Sequence, residues 1–242
     1  MASSTQQPGV AVVVGVGPGL GAALAHRFAD GGYALAMIAR SREFIDDLAA
    51  RIGAAGGRAM ALTADVGDAA QVARAFDAIR SKMDAPNVLL YNAGNAAWGT
   101  ISEITPAQYE DAWRVNAFGA FLCARQVVAD MIAKARGAML FTGATAGVKA
   151  GPKSAAFGPA KFAVRGLAQS LARDLGPRGI HVAYVNVDGI IDIPRTRAAM
   201  RSLKDEDVLK PAAIAEAYWH LAHQDPSAWT QELDVRPFKE KF

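Results

Sequence analysis

A chain of 242 residues with 52% hydrophobic and 20% charged residues has the size and balance of one large α/β domain with a full core. A net charge of +3, with no dense run of Lys and Arg, excludes the footprint of a nucleic-acid binder. Cys123 is the only cysteine, which rules out an intramolecular disulfide and fits a reducing, cytoplasmic compartment.

The first eight residues are polar, lack the features of a signal peptide, and read as a short disordered tail. No uninterrupted apolar run reaches the roughly 18 residues of a membrane span. Val10 to Val14 reads as a buried strand, and Leu20 to Asp30 as a helix stopped by Gly31-Gly32. Tyr33 to Ala39 is a second strand, with Ser41 capping a helix to about Ile52. Arg58 to Ala64 is a third strand, and Asp68 caps a helix to about Met83. Asn87 to Tyr91 is a fourth strand. Thr105 and Pro106 open a helical stretch to Ala135 that contains a break. Ala138 to Thr142 is a fifth strand, followed by a helix from Phe157 with Ala163, Leu167, Leu171 and Leu175 as its core stripe. Val182 to Val187 is a sixth strand. Residues 189–210 read as irregular and charged, Pro211 opens a helix to about His223, and Glu232 to Val235 is a seventh strand.

This alternation predicts a single-domain Rossmann-type, doubly wound parallel sheet of about seven strands over residues 9–242, with helices on both faces. In such sheets ligands bind at the carboxyl ends of the strands. That rule gathers the Gly15 loop, Asp65, Asn92, Thr142 and Asp188 on one rim. No metal is expected. His26, His181, His220 and His223 show no metal-ligand spacing; His220 and His223 come nearest, three apart on a helix with no carboxylate cluster beside them.

The run Val14-Gly15-Val16-Gly17-Pro18-Gly19-Leu20-Gly21 follows a strand and opens a helix. Its glycines let the backbone approach a pyrophosphate, which the helix N-terminus then meets with free N–H groups. The second strand ends Ile38-Ala39-Arg40-Ser41-Arg42. With no carboxylate there for a ribose hydroxyl, Arg40 suits a 2′-phosphate, so NADP(H) is preferred and NAD(H) remains possible. Otherwise Arg40 and Arg42 are solvated charges at a helix start.

The Gly15-x3-Gly19-x-Gly21 spacing resembles the loop of the short-chain dehydrogenase/reductase family. Further segments carry the resemblance. Ala64-Asp65-Val66 resembles the family's adenine-contacting pair, and Tyr91-Asn92-Ala93-Gly94 is similar to its Asn-Asn-Ala-Gly element. Ser154 to Lys161 resembles the Tyr-x-x-x-Lys signature with Phe157 in the tyrosine's place. The family uses Asn, Ser, Tyr and Lys. The resemblance assigns the asparagine to Asn116 and the lysine to Lys161, and counting back from Phe157 places Ala144 where the serine belongs. Thr142 and Thr145 are candidate substitute hydroxyls. After the sixth strand, Asp188-Gly189-Ile190-Ile191-Asp192-Ile193 replaces the family's Pro and Thr, leaving Gly189 and the Ile190 backbone as candidate cofactor contacts.

The resemblance thus implies an oxidoreductase acting by hydride transfer on a small molecule, with no nucleic-acid or membrane partner, as a homodimer or homotetramer. A phenyl ring moves no proton, so three outcomes stay open. The chain reduces a C=N or C=C group without a side-chain acid. It protonates a carbonyl through Lys161, Asn116 and water. Or it is a catalytically silent NADP(H)-binding protein. Residues 190–210 are expected to cover the substrate. Arg195, Arg197, Arg201 and Lys204, with Lys149 and Lys153, either steer an anionic substrate or are solvated charges balanced by Asp205, Glu206 and Asp207.

Overall fold

The computed structural model describes residues 9–240, so the predicted tail lies outside the described residues. Seven strands form one sheet in the order β3-β2-β1-β4-β5-β6-β9, and every neighbouring pair is parallel. The strands are β1 Val10–Val14, β2 Ala34–Ala39, β3 Ala59–Thr63, β4 Val88–Tyr91, β5 Gly137–Thr142, β6 Ile180–Val187 and β9 Glu232–Val235. A separate pair, β7 Ile190–Ile191 and β8 Val208–Leu209, lies outside the sheet.

Both faces of the sheet are covered, which explains why the strands read as continuous apolar runs. Side chains alternate across β1. Val10, Val12 and Val14 join one core with α3 (Ala69–Lys82), α5 (Gly119–Lys134) and α6 (Phe157–Leu175). Ala11 and Val13 join the other core with α1 (Leu20–Asp30), α2 (Arg42–Ala54) and α8 (Pro211–Ala222). The strand order reverses between β1 and β4, and the glycine loop leaves β1 at that crevice.

Local chemistry sets most boundaries. Asp68 accepts from the N–H groups of Ala70 and Gln71, the expected cap of α3. Thr105 and Gln108 form a capping box at α4 (Pro106–Trp113). Ser41 makes no side-chain cap bond, and Arg42–Asp46 pairing at 2.7 Å supports the first turn of α2 instead. The core stripe of α6 is also displaced from the expected one. Phe157, Lys161, Val164, Ala168 and Leu175 are buried, while Ala163, Leu167 and Leu171 pack half-buried at its edge.

Residues 189–210 are regular where irregularity was expected. They hold β7, a short helix α7 (Pro194–Ala199) and β8. Arg197 ties them together, bonding Asp192 at 2.6 Å, Asp205 at 2.7 Å and the Leu203 carbonyl at 2.9 Å. These pairings answer part of the local charge. Arg195 and Arg201 stay exposed.

The break in the long helix is a π-turn over Arg114–Phe118, with the Gly119 N–H reaching back to the Arg114 carbonyl. The rod Pro106–Lys134 is long and apolar enough to cross a membrane, and half of that apolar window is buried inside the fold. Polar positions interrupt the run, so no continuous apolar stretch marks it in the sequence.

Candidate active site

The glycine loop is built to let another backbone through. Gly15 adopts φ 85°, and a Cβ there would stand 2.4 Å from the Ala93 backbone. Its N–H donates to the Ile38 carbonyl at 2.8 Å. Its carbonyl accepts from Asn92 Nδ2 at 2.9 Å. Asn92 thus bolts the loop to the end of β4. Gly21 sits against the Gly15 carbonyl and closes the turn. Gly19 precedes α1 and gives it no side-chain cap. Leu20 is buried in the core, so it contributes packing.

A cleft of about 230 Å³ runs along this rim. Gly15, Gly17, Arg40, Asp65, Val66 and Asn92 line it, together with Ala93, Gly94 and Val115. Eight residues singled out in the sequence are therefore brought together. Arg42 is turned away to Asp46, which leaves Arg40 as the exposed arginine on the cleft. Asp65 Oδ1 accepts from the Gly67 N–H at 2.9 Å, which fixes its carboxylate at the end of β3. Among the larger hollows, those of about 430 and 800 Å³ lie at the amino ends of the strands, away from all of these groups, while one of about 480 Å³ is lined by Thr145, Lys149 and Asp188 with Asn186 and Asp234.

Phe157 and Lys161 share one face of α6, and both are buried. Lys161 Nζ donates to the Thr142 carbonyl at 2.9 Å and lies 5.6 Å from the centre of the Phe157 ring. Burial disfavours its charge and brings its pKa down to about 8. Asn116 sits inside the π-turn. Its Nδ2 donates to the carbonyls of Asn95 and Ala112, both at 2.8 Å. Its Oδ1 is buried without a partner among the described residues. A Cβ on Gly94 would lie 3.2 Å from that oxygen and 3.6 Å from Lys161 Nζ, so the missing side chain leaves a gap that both atoms border. A buried acceptor and a buried donor facing one gap suit a bound polar group.

Tyr91, standing where the family has asparagine, donates its hydroxyl to the Val115 carbonyl in the π-turn. Desolvation holds its phenol well above the usual range.

The substitute hydroxyls are committed elsewhere. Thr142 Oγ1 donates to Asn92 Oδ1 at 3.2 Å and lies 2.7 Å from the Tyr218 hydroxyl. Thr145 Oγ1 donates to the buried carboxylate of Asp188 at 2.7 Å. Neither is free to take the serine's role, because buried hydroxyls and carboxylates must find partners and these have found each other. Ala144 presents only its backbone; its N–H reaches the Tyr184 hydroxyl at 3.4 Å. Burial pushes that phenol up to about 12.

Beyond β6, Gly189 takes φ 147° against Pro237, and Ile190 pairs with Val208. Neither lines the 230 Å³ cleft. Ile193, in place of the family threonine, leans on Gly19: a Cβ at that glycine would stand 2.6 Å from Ile193 Cγ2.

Two residues of this region escaped the sequence reading. Tyr218 lies on the buried face of α8 with Ile214 and Leu221, and a buried phenol at helical spacing signals a hydroxyl in need of a partner. Trp98, four residues after Gly94, rests its indole 5.0 Å from the Phe157 ring while 62% exposed. No local pattern marks it, because its partner is distant in sequence.

The family model for short chain dehydrogenases matches residues 9–204. D-threitol dehydrogenase of Mycolicibacterium smegmatis is 28% identical over 234 residues, covering 93% of this chain and 90% of that protein. The crystal structure of a short-chain dehydrogenase from Rhodopseudomonas palustris superposes with a TM-score of 0.82 at 34% identity, over 95% of this chain and 98% of that one. A metagenomic short-chain oxidoreductase in complex with NADP gives a TM-score of 0.83 at 27% identity, over 96% and 98%. A glycine loop, Asn116 and Lys161 held in register on a seven-stranded parallel sheet agree with that match, and the chain belongs to the short-chain dehydrogenase family.

Proposed function

We propose that this chain is an NADPH-dependent reductase that acts on a small molecule by hydride transfer, with a proton donor other than tyrosine. The observation that carries the reading is the buried Lys161 ammonium beside the unpartnered Asn116 Oδ1, with Phe157 and Ala144 offering no hydroxyl. NADPH, when bound, supplies the hydride.

The residues of the cleft fit that cofactor. The Gly15–Gly21 turn and the uncapped start of α1 would receive its pyrophosphate. Arg40 would meet a 2′-phosphate with charge-assisted hydrogen bonds. Asp65 and Val66 would border the adenine. Support comes also from the metagenomic relative, whose structure holds NADP.

Lys161 has two tasks in this reading. It anchors the floor of the site through the Thr142 carbonyl. It also holds a proton next to the gap at Gly94, where a water bonded to Asn116 Oδ1 can carry that proton toward the substrate. A group with a pKa of about 8 is well matched to acid catalysis near neutrality. Below about 8 the ammonium is the main form and activity is level; above it the donor is lost and the rate falls. Substrates whose carbon accepts hydride without a side-chain acid, such as an iminium or an activated alkene, escape that limit.

A second reading has its own observation. With both family hydroxyls replaced, the chain serves as a silent NADP(H)-binding protein. NADPH oxidation across a panel of ketones, imines and enones separates the two. Turnover that falls above pH 8, and drops about a hundredfold in Lys161→Met, is expected for the reductase. Tight NADPH binding with silence across the panel supports the second reading.

A further inference from the structure

Trp98 and Phe157 meet at the mouth of the catalytic corner in a way that the cofactor chemistry does not require. Their ring centroids are 5.0 Å apart with planes inclined at 57°. Phe157 is 8% exposed and Trp98 62% exposed, so the indole keeps most of its surface open to incoming molecules. An exposed indole on a mobile loop would carry little meaning, but this one is held. Gly99, its neighbour, forms a parallel bridge with Ser154. The Gly99 N–H donates to the Lys153 carbonyl at 2.8 Å, and the Gly99 carbonyl accepts from the Ala155 N–H at 3.2 Å. Ser154 is itself buried, with its hydroxyl on the Gly151 carbonyl at 2.6 Å. The loop after β4 is therefore strapped by its backbone to the segment that leads into Phe157.

The same corner lacks the hydroxyls that would orient a substrate by hydrogen bonding. Orientation must then come from shape and from ring faces. Phe157 backs the indole from below and keeps little open surface, so Trp98 presents the apolar face, and aromatic pairs favour edge-to-face or offset contacts over a face-to-face sandwich. A saturated ring gains area burial on such a surface, and a planar conjugated ring gains the aromatic contact in addition.

We propose, building on the reductase reading above, that Trp98 and Phe157 form a stacking corner which selects substrates carrying a planar aromatic ring beside the group to be reduced. Trp98 is a specificity-determining residue and takes no part in proton or hydride movement. The probes are 2-tetralone, a ketone fused to an aromatic ring, and 2-decalone, its saturated counterpart. Dissociation constants are measured by titration calorimetry with NADP⁺ present and absent, conditions without turnover. The wild-type chain is expected to bind 2-tetralone about fivefold more tightly than 2-decalone. Trp98→Leu is expected to bring that ratio to about one, and Trp98→Phe to keep part of it. Equal affinities in the wild type, a ratio unchanged in Trp98→Leu, or no binding of either ketone would each overturn the stacking corner. Because binding is read without reduction, a ring preference alongside silent NADPH oxidation sinks the reductase reading alone. Turnover of both ketones at equal affinity sinks the stacking corner alone.

Discussion

The Gly15 loop and the Phe157–Lys161 turn face the same rim of the sheet, yet different parts of the chain supply their chemistry. At the loop the working groups are backbone N–H groups and the space left by absent side chains. In the proposed reading, the working groups at the start of α6 and in the loop after β5 are side chains, and Phe157 and Ala144 hold two of those positions. Backbone chemistry depends on conformation, which many contacts enforce at once. Side-chain chemistry depends on single atoms, and one substitution removes it. Cofactor binding and acid catalysis can therefore part company within one cleft, without disturbance to the fold around them.

Restoring the side-chain half is the most severe way to probe this separation. Phe157→Tyr with Ala144→Ser is expected to raise ketone reduction by roughly 10² to 10⁴, the worth of a positioned general acid. Steady-state kcat/KM for a ketone checks it, and no gain would mean that the corner itself has moved, beyond the loss of two hydroxyls. Damaging the backbone half should have the next largest effect. Gly15→Ala forces a Cβ into the Ala93 backbone at a positive φ, at a cost of about 2 to 3 kcal/mol. Calorimetric titration should show NADPH affinity falling by tenfold or more, with Lys161 untouched.

Arg40→Ala acts at one edge of the cleft. Loss of a charge-assisted bond should lower NADPH affinity about tenfold and leave NADH affinity nearly unchanged. If NADH binds the wild type more tightly, the cofactor assignment fails. The smallest effect is expected at Tyr218, whose hydroxyl lies 2.7 Å from Thr142 Oγ1 beneath both halves. Tyr218→Phe should reduce stability by about 1 kcal/mol in chemical denaturation, since one buried hydrogen bond is lost.

The glycine loop and the strand ends were legible in the sequence because each is a short run whose spacing carries the meaning. Val10 to Val14 and Leu20 to Asp30 coincide with β1 and α1 for the same reason. Residues 189–210 were not legible as structure. Their order depends on Arg197 reaching Asp192 and Asp205, and on β7 pairing with β8 across an interval of eighteen residues. The fate of the Thr142 and Thr145 hydroxyls was equally hidden, since Tyr218 and Asp188 arrive from later segments. A break between Thr105 and Ala135 was expected, but neither its place at Asn116 nor its nature was. A π-turn shows itself only in which carbonyl each N–H reaches.

That π-turn has a consequence for how the rod Pro106–Lys134 could have arisen and could change. A π-turn holds one residue more than the α-helix it interrupts. Removing a single residue between Arg114 and Phe118 would let the α ladder run through while the flanking turns kept nearly their present faces, because the π-turn absorbs its extra residue locally; the change would fall on the turn that carries Val115 and Asn116. Asn116 would leave the gap at Gly94, and the Val115 carbonyl that Tyr91 now caps would turn back into the ladder. The distance between an aligned Asn–Lys pair and a separated one is therefore a single codon, and a length change there reshapes this site more than most substitutions do.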